Sequence, residues 1–171
     1  MSGSVYKVLF VCMGNICRSP AAEGVFRRYV KKRGWQDRIQ VASAGTLGAH
    51  IGDPPDSRMM AAASRRGCYL ESRARKVRRE DLEDYDLIVA MDHANESDLK
   101  QLFTGKPWEG KLIRFCSLLS GEGKYPDEVP DPYYGGAKGF EFVLDLLEAG
   151  CEPLLNFIQS KVSGDGERGM D

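Results

Sequence analysis

The run Val5-Tyr-Lys-Val-Leu-Phe-Val11 is β-branched, aromatic or aliphatic except for one lysine, and no breaker follows until Gly14. It reads as a buried strand. A few residues later Ser19-Pro20-Ala-Ala-Glu23 carries three helix-start signals: Ser as N-cap, Pro at the first helical position and Glu in the first turn. The helix predicted there sets Ala22, Val25, Phe26, Tyr29 and Val30 on one face and stops at Gly34. Ile39 to Ser43 is a short second strand. A strand–helix–strand unit of this kind crosses over right-handed and makes its two strands parallel. That commits the chain to an α/β architecture.

The alternation continues. Pro54-Pro55-Asp56 opens a second helix through Met59, Met60, Ala62 and Ala63 to Gly67, and Tyr85-Asp-Leu-Ile-Val-Ala90 is a third strand. A helix from about Asp92 to Phe103 and a fourth strand over Lys111-Leu-Ile-Arg-Phe-Cys116 follow. Phe140, Val143, Leu144, Leu147, Leu154 and Ile158 mark a long amphipathic helix that Pro153 should kink or interrupt. The polar, Gly-rich residues 163–171 should be loose. One three-layer α/β domain over residues 1–171, with its core at about 5–160, is therefore expected. Ser117 to about Gly136 has no periodic pattern, and an irregular stretch of that length in a compact domain is usually functional.

Composition excludes several classes. A chain of 171 residues that is 42% hydrophobic and 29% charged can bury a core and is too apolar for disorder. Lys+Arg 24 against Asp+Glu 25 leaves a net charge of -1, so no whole-chain field draws it to nucleic acid or an anionic membrane. No apolar run reaches the roughly 18–20 residues of a membrane span, and Val8–Cys12 is too short for a secretory signal core. A cytoplasmic protein is expected. The five cysteines (Cys12, Cys17, Cys68, Cys116, Cys151) are odd in number and widely spread, against a disulfide scaffold. No Cys-x2-Cys pair stands near the two histidines, His50 and His93, so no metal site is expected.

The turn after the first strand, Cys12-Met13-Gly14-Asn15-Ile16-Cys17-Arg18-Ser19, carries the chemistry. In open α/β sheets ligands bind beyond the carboxyl ends of the strands. A loop running into a helix start gathers unpaired N–H groups, and the helix dipole adds positive potential, so the ligand is an anion. The Lys of the nucleotide-binding Gly-x4-Gly-Lys-Ser/Thr loop is missing, which argues against a nucleoside triphosphate. Arg18 can hold two phosphate oxygens with its planar fork. The same field favours Cys12 as a thiolate, poised to attack a bound phosphoryl group while Arg18 and the amides collect its charge. Ser19 can donate a hydrogen bond to the sulfur.

These residues closely resemble the low molecular weight protein tyrosine phosphatases. Val11-Cys-Met-Gly-Asn-Ile-Cys-Arg-Ser-Pro20 matches the family's phosphate loop almost throughout, and Ser43-Ala-Gly45, Pro55-Asp56-Ser-Arg58, Ala90-Met-Asp92 and Asp131-Pro-Tyr-Tyr134 fall where the family has its corresponding segments. The resemblance covers about residues 5–160. It implies a four-stranded parallel sheet in the order 2-1-3-4, Cys12 as nucleophile, Arg18 as phosphate clamp and Asp131 as general acid and base, with no cofactor. It also implies that Asn15, Ser19 and Ser43 support the loop, and that Cys17 captures oxidised Cys12 in a reversible disulfide; the alternative for Cys17 is a buried small residue under the loop. The expected substrate is a tyrosine-phosphorylated protein, and the expected working form a monomer.

Residue chemistry supports Asp131 independently, because an aryl phosphate needs a proton donor for its departing oxygen. The unpatterned loop supplies one between Pro130 and Pro132; the alternative is a plain Asp-Pro turn. Tyr133 and Tyr134 should wall an aryl pocket, with Tyr134 equally able to pack the loop down. Ala49 and His50 belong to the same rim; many relatives have a large aromatic where this chain has Ala49, so that wall should be more open. Ser72 stands where some relatives carry a His. Asp92 is an N-cap before it is a contact for Arg18. Rivals on this scaffold are an arsenate reductase, whose further cysteines are missing from residues 76–90, and a protein arginine phosphatase, which tends to carry Thr at the position of Ile16. A phospho-binding module without turnover would need neither Cys12 nor Asp131.

Overall fold

The computed structural model describes residues 4–121 and 123–165. In chain order the elements are β1 (Tyr6–Cys12), α1 (Arg18–Lys32), β2 (Ile39–Gly45), α2 (Ser57–Ser64), α3 (Asp81–Asp84), β3 (Leu87–Ala90), α4 (His93–Leu102), β4 (Leu112–Arg114), a 3-10 turn (Phe115–Leu118) and α5 (Ala137–Asp165). The four strands are parallel in the order β2-β1-β3-β4, as expected.

Strand periodicity separates two apolar layers. Val8, Phe10 and Cys12 of β1 and Leu87 and Val89 of β3 face a core shared with α1, α2 and α5. Leu9, Val11, Ile88 and Ala90 point the other way, against Leu82 of α3 and Leu99 of α4. Alternate side chains along a strand must emerge on opposite faces, so both faces are covered and the central strands are apolar throughout. Cys12 is thus delivered at the carboxyl end of a central strand, on the α1 face.

Three local expectations change. The fourth strand ends at Arg114, and Phe115 and Cys116 belong to the 3-10 turn instead. The one-turn helix α3 carried no sequence pattern of its own. Pro153 lies inside α5 without ending it. It removes one N–H from the ladder, but Leu147, Cys151, Leu154, Leu155 and Ile158 are buried on either side of it, and that packing holds the helix across the gap. The helix also takes in residues 163–165 of the tail expected to be loose; residues 166–171 lie outside the described residues. Among the described residues no helix is long and apolar enough to cross a membrane.

Gly150 sets how closely α5 approaches the sheet. A Cβ there would lie 2.4 Å from Cζ of Phe115, whose ring is 1% exposed and packs beside Phe10. Gly150→Ala is expected to strain the core by about 1–3 kcal/mol, more than the roughly 1 kcal/mol that alanine contributes as a helix former. Calorimetry should show a melting temperature lowered by a few degrees. An unchanged or raised value would mean that the Phe115 ring can yield.

Candidate active site

β2 runs close beneath the loop that follows β1. Cys12 is in register with Gly45, and the N–H groups of Thr46 and Leu47 donate to the carbonyls of Cys12 and Met13, each at 2.9 Å. A Cβ on Gly45 would stand 2.7 Å from the Met13 oxygen, so only glycine permits this approach. Asn15 has a φ of 59°, the left-handed region, and is buried at the bend. Its Nδ2 donates to Ser19 Oγ at 2.8 Å and to Ser43 Oγ at 3.0 Å, and its Oδ1 accepts from the Arg75 N–H at 3.0 Å. The side chain repays the unfavourable backbone by tying the loop to α1, β2 and the segment before α3.

Ser19 is not the N-cap. α1 begins at Arg18, and Cys17 holds the cap position without a side-chain capping bond. The Ser19 hydroxyl turns inward instead, 2.9 Å from Cys12 Sγ. The Asn15 N–H also donates to that sulfur at 3.3 Å. Pro20 still lies in the first helical turn, where a missing N–H costs little.

Arg18 is 3% exposed. Its Nη1 donates to Asp92 Oδ2 at 2.6 Å and to the Val129 carbonyl at 3.0 Å, and its Nη2 is 3.7 Å from Asp131 Oδ2. Burial alone would lower its pKa; Cys12, Asp92 and Asp131 outweigh that and raise it, so the guanidinium stays charged. Asp92 plays both parts that the sequence offers. Its Oδ1 caps α4 by accepting from the Asn95 N–H at 2.7 Å, while Oδ2 holds Arg18.

The irregular segment is anchored one turn before its acid. Val129 donates to the Met91 carbonyl at 2.9 Å and accepts from Arg18, and Pro130 and Pro132 bracket Asp131. Asp131 Oδ1 accepts from the Tyr133 N–H at 3.0 Å, an Asx turn, which leaves Oδ2 toward Arg18. Arg58 ties the far side down. It pairs with both oxygens of Asp56 at 3.1 and 3.0 Å, donates to the Tyr133 carbonyl at 3.0 Å and stacks over the rings of Tyr133 and Phe140.

Cys12, Met13, Gly14, Ile16, Cys17 and Arg18 line one cleft with His50, Asp131, Tyr133 and Tyr134. Its volume is about 70 Å³. One water needs about 10–15 Å³, so the space has room for a small anion. Tyr133 packs edge-on to Tyr134 at 4.9 Å, and Tyr134 is 86% exposed at the mouth. Ala49, expected on the rim, does not line the cleft: it is exposed, and the turn presents the His50 ring there instead, beside Gly14 and 6.4 Å from Tyr133. The Cys17 thiol is pushed up to about 12, chiefly by burial and then by Asp56, Cys12 and Asp131. Cys68, Cys116 and Cys151 are buried in the core. Sequence reasoning gave no place in the site to Arg58, Arg75, Val129 or Glu23, although it read Glu23 as a helix-start acid. Only Asp56-Ser-Arg58, an acid and a base at a helix start, gave a visible signal.

A thiol and a guanidinium facing one anion-sized cleft at the carboxyl edge of a parallel sheet are the arrangement of an α/β phosphatase with a phosphate-binding loop. Comparison with known proteins narrows this. A family profile described as low molecular weight phosphotyrosine protein phosphatase matches residues 7–164. YfkJ of Bacillus subtilis, a low molecular weight protein-tyrosine-phosphatase, is 41% identical over 155 residues, covering 90% of this chain and 96% of its own. The crystal structure of a protein tyrosine phosphatase from Entamoeba histolytica superposes with a TM-score of 0.85 at 38% identity, over 91% of this chain and 98% of that one. A Drosophila arginine phosphatase shares the fold at a TM-score of 0.81 and 31% identity, over 90% and 98% of the two chains. The chain belongs to the low molecular weight phosphotyrosine protein phosphatase family, and is a hydrolase.

Asn15 separates backbone strain from hydrogen bonding. Asn15→Ala and Asn15→Gly both leave buried partners unsatisfied, at about 1–3 kcal/mol each. Only the alanine also keeps a side chain in the left-handed region, so Asn15→Gly should be the more stable of the two by about 1 kcal/mol. Urea unfolding measures the difference; equal stabilities would show that the loop relaxes out of that conformation.

Proposed function

We propose that the chain hydrolyses phosphotyrosine in proteins, and small aryl phosphates, through a phosphocysteine intermediate. The observation that carries this reading is the single Arg18 guanidinium, fixed by Asp92 and the Val129 carbonyl, lining one cleft with Cys12 and standing 3.7 Å from Asp131. Asp92 and Val129 occupy Nη1, which leaves Nη2, in only a loose 3.7 Å ion pair with Asp131, to hold the phosphoryl oxygens with the loop amides.

Cys12 as thiolate attacks phosphorus in line with the ester oxygen. The S–P bond forms, the P–O bond breaks, and Asp131 as carboxylic acid gives its proton to the departing tyrosyl oxygen. Water then attacks the phosphocysteine and loses a proton to the Asp131 carboxylate; the S–P bond breaks, releasing phosphate and thiolate. Ser19, at 2.9 Å, stabilises the leaving sulfur with a hydrogen bond. The scheme uses no metal or organic cofactor. Met13, Ile16, His50 and Tyr133 give the cleft aromatic and apolar walls for an aryl ring. The apolar Ile16 favours an aryl ester over phosphoarginine. A monomer suffices, because one chain supplies every group named.

General acid catalysis typically contributes about 100- to 10,000-fold. Asp131→Asn should lower kcat on phosphotyrosine by that order and leave phosphate binding nearly unchanged. Acid quench during a single turnover should trap phosphate on Cys12. Across a series of aryl phosphates the variant's phosphorylation rate should depend more steeply on phenol pKa than the wild type's. Equal slopes would return Asp131 to its turn, and an untrapped Cys12 would remove the covalent route.

Cys17 lines the same cleft as Cys12, and we assign it the capture of a Cys12 sulfenic acid: its sulfur forms the S–S bond and the sulfenic oxygen leaves as water. With the Cys17 thiol near 12, little thiolate is present at neutral pH and capture should be slow, accelerating as pH rises. Peptide mapping after limited peroxide should find Cys12 joined to Cys17. A bridge to Cys68, Cys116 or Cys151 would remove this role.

A further inference from the structure

Glu23 is 8% exposed in α1, and no step of the proposed reaction uses it. Its carboxylate heads an unbroken chain of hydrogen bonds that ends on the Cys12 sulfur. Arg27, half-exposed, donates through Nη2 to Glu23 Oε2 at 2.7 Å and to the Val41 carbonyl at 2.8 Å. Ser43 Oγ donates to Glu23 Oε1 at 2.7 Å. Asn15 Nδ2 donates to Ser43 Oγ at 3.0 Å and to Ser19 Oγ at 2.8 Å, and Ser19 Oγ stands 2.9 Å from Cys12 Sγ. Ser43, Asn15, Ser19 and Cys12 are all buried, so bulk water does not compete for these bonds.

Counting protons gives the chain a direction. An ionised carboxylate only accepts, so Ser43 commits its one hydroxyl hydrogen to Glu23, and its oxygen can then only accept from Asn15. The Arg75 N–H on Asn15 Oδ1 holds the amide the same way round. With one amide hydrogen on each serine, Ser19 is an acceptor there, and its own hydrogen is left for the sulfur or for the Ala44 carbonyl, 3.4 Å away. The sulfur is the nearer. A hydroxyl can run either way round; the Glu23 carboxylate cannot, and it sets the sense of the Ser43 end.

We propose that Glu23 is a positioning residue for the nucleophile: through Ser43, Asn15 and Ser19 it directs a hydrogen-bond donor onto Cys12 Sγ, with Arg27 anchoring the carboxylate from outside. This rests on Cys12 as nucleophile, yet it can be read at the sulfur without turnover. Among the described residues, the charged or ionisable groups that share the cleft with the sulfur are Arg18, with Asp92 and Asp131 upon it, Cys17 and His50, and Arg27 is ion-paired to the carboxylate. Glu23→Gln leaves all of them in place.

Iodoacetamide reacts with thiolate, so its rate at Cys12 reports how well the sulfur's charge is held. In mildly acidic buffer Glu23→Gln should be alkylated at Cys12 about tenfold more slowly than wild type, the equivalent of about one pH unit. The two proteins should converge in alkaline buffer. kcat/KM on p-nitrophenyl phosphate should fall by a similar factor, while inhibition by inorganic phosphate is unchanged. Ser43→Ala should slow alkylation alike, and the double variant no more than either single one, because both break the same chain. Equal acidic rates in wild type and Glu23→Gln, with or without a lower melting temperature, would overturn the proposal, as would additive losses in the double variant. Phosphate trapped elsewhere than Cys12 would instead strike the nucleophile assignment while the alkylation series still decided the relay. Should Glu23→Gln fail to fold, Arg27→Gln at the outer end should slow alkylation in the same sense by a smaller factor, and no slowing there would overturn the proposal.

Discussion

A guanidinium withdrawn from water must be matched by charge and hydrogen bonds or it destabilises the fold that buries it. Arg18 is withdrawn in this way, and the carboxyl edge of the sheet is organised around it. Its partners come from the end of β3 through Asp92, from the acid segment through Val129 and Asp131, and from β1 through the field of Cys12. One side chain therefore joins the acid segment, which belongs to no strand, to the paired ends of β1 and β3. The strands bring these pieces to one edge; the buried cation fixes their spacing.

The cleft inherits its shape from that spacing. The loop and Arg18 form its base, and Met13, Ile16, His50 and Tyr133 form its rim. Arg58 links the rim to the base: it touches Asp56, whose own N–H donates to the Ile16 carbonyl at 2.7 Å, and it carries the Tyr133 backbone on its other side. Rim and base are thus mechanically continuous.

What the sequence made legible was what adjacent residues determine. The β1–loop–α1 unit could be read because strand, glycine turn and helix start lie within about twenty positions, and the cysteine and arginine share one loop. Ser19 was misplaced because the same residue types that cap helices also hydrogen-bond inside a loop, and only the fold shows which donors are vacant. Pro153 was expected to kink or interrupt α5 on local grounds, and with tertiary packing on both sides the helix runs on through it. Ala49 and His50 are neighbours in a turn, and no periodicity says which one faces the cleft. Glu23 looked like a helix-start acid; its partner Ser43 is twenty residues away and joins it only once β2 has paired with β1.

Because α1 starts inside the loop, one rigid rod carries Arg18, Ser19, Glu23 and Arg27 in successive turns. It packs along α5 in the most extensive helix–helix contact among the described residues. Any shift of that rod along its axis moves the clamp, the hydroxyl at sulfur and the outer carboxylate together by the same amount. Drift in the α1–α5 packing is then transmitted to the cleft as a rigid translation, not as local loosening. Leu147 and Cys151, deep in the core on α5, thus bear on the placing of Arg18 and Ser19 without lining the cleft themselves.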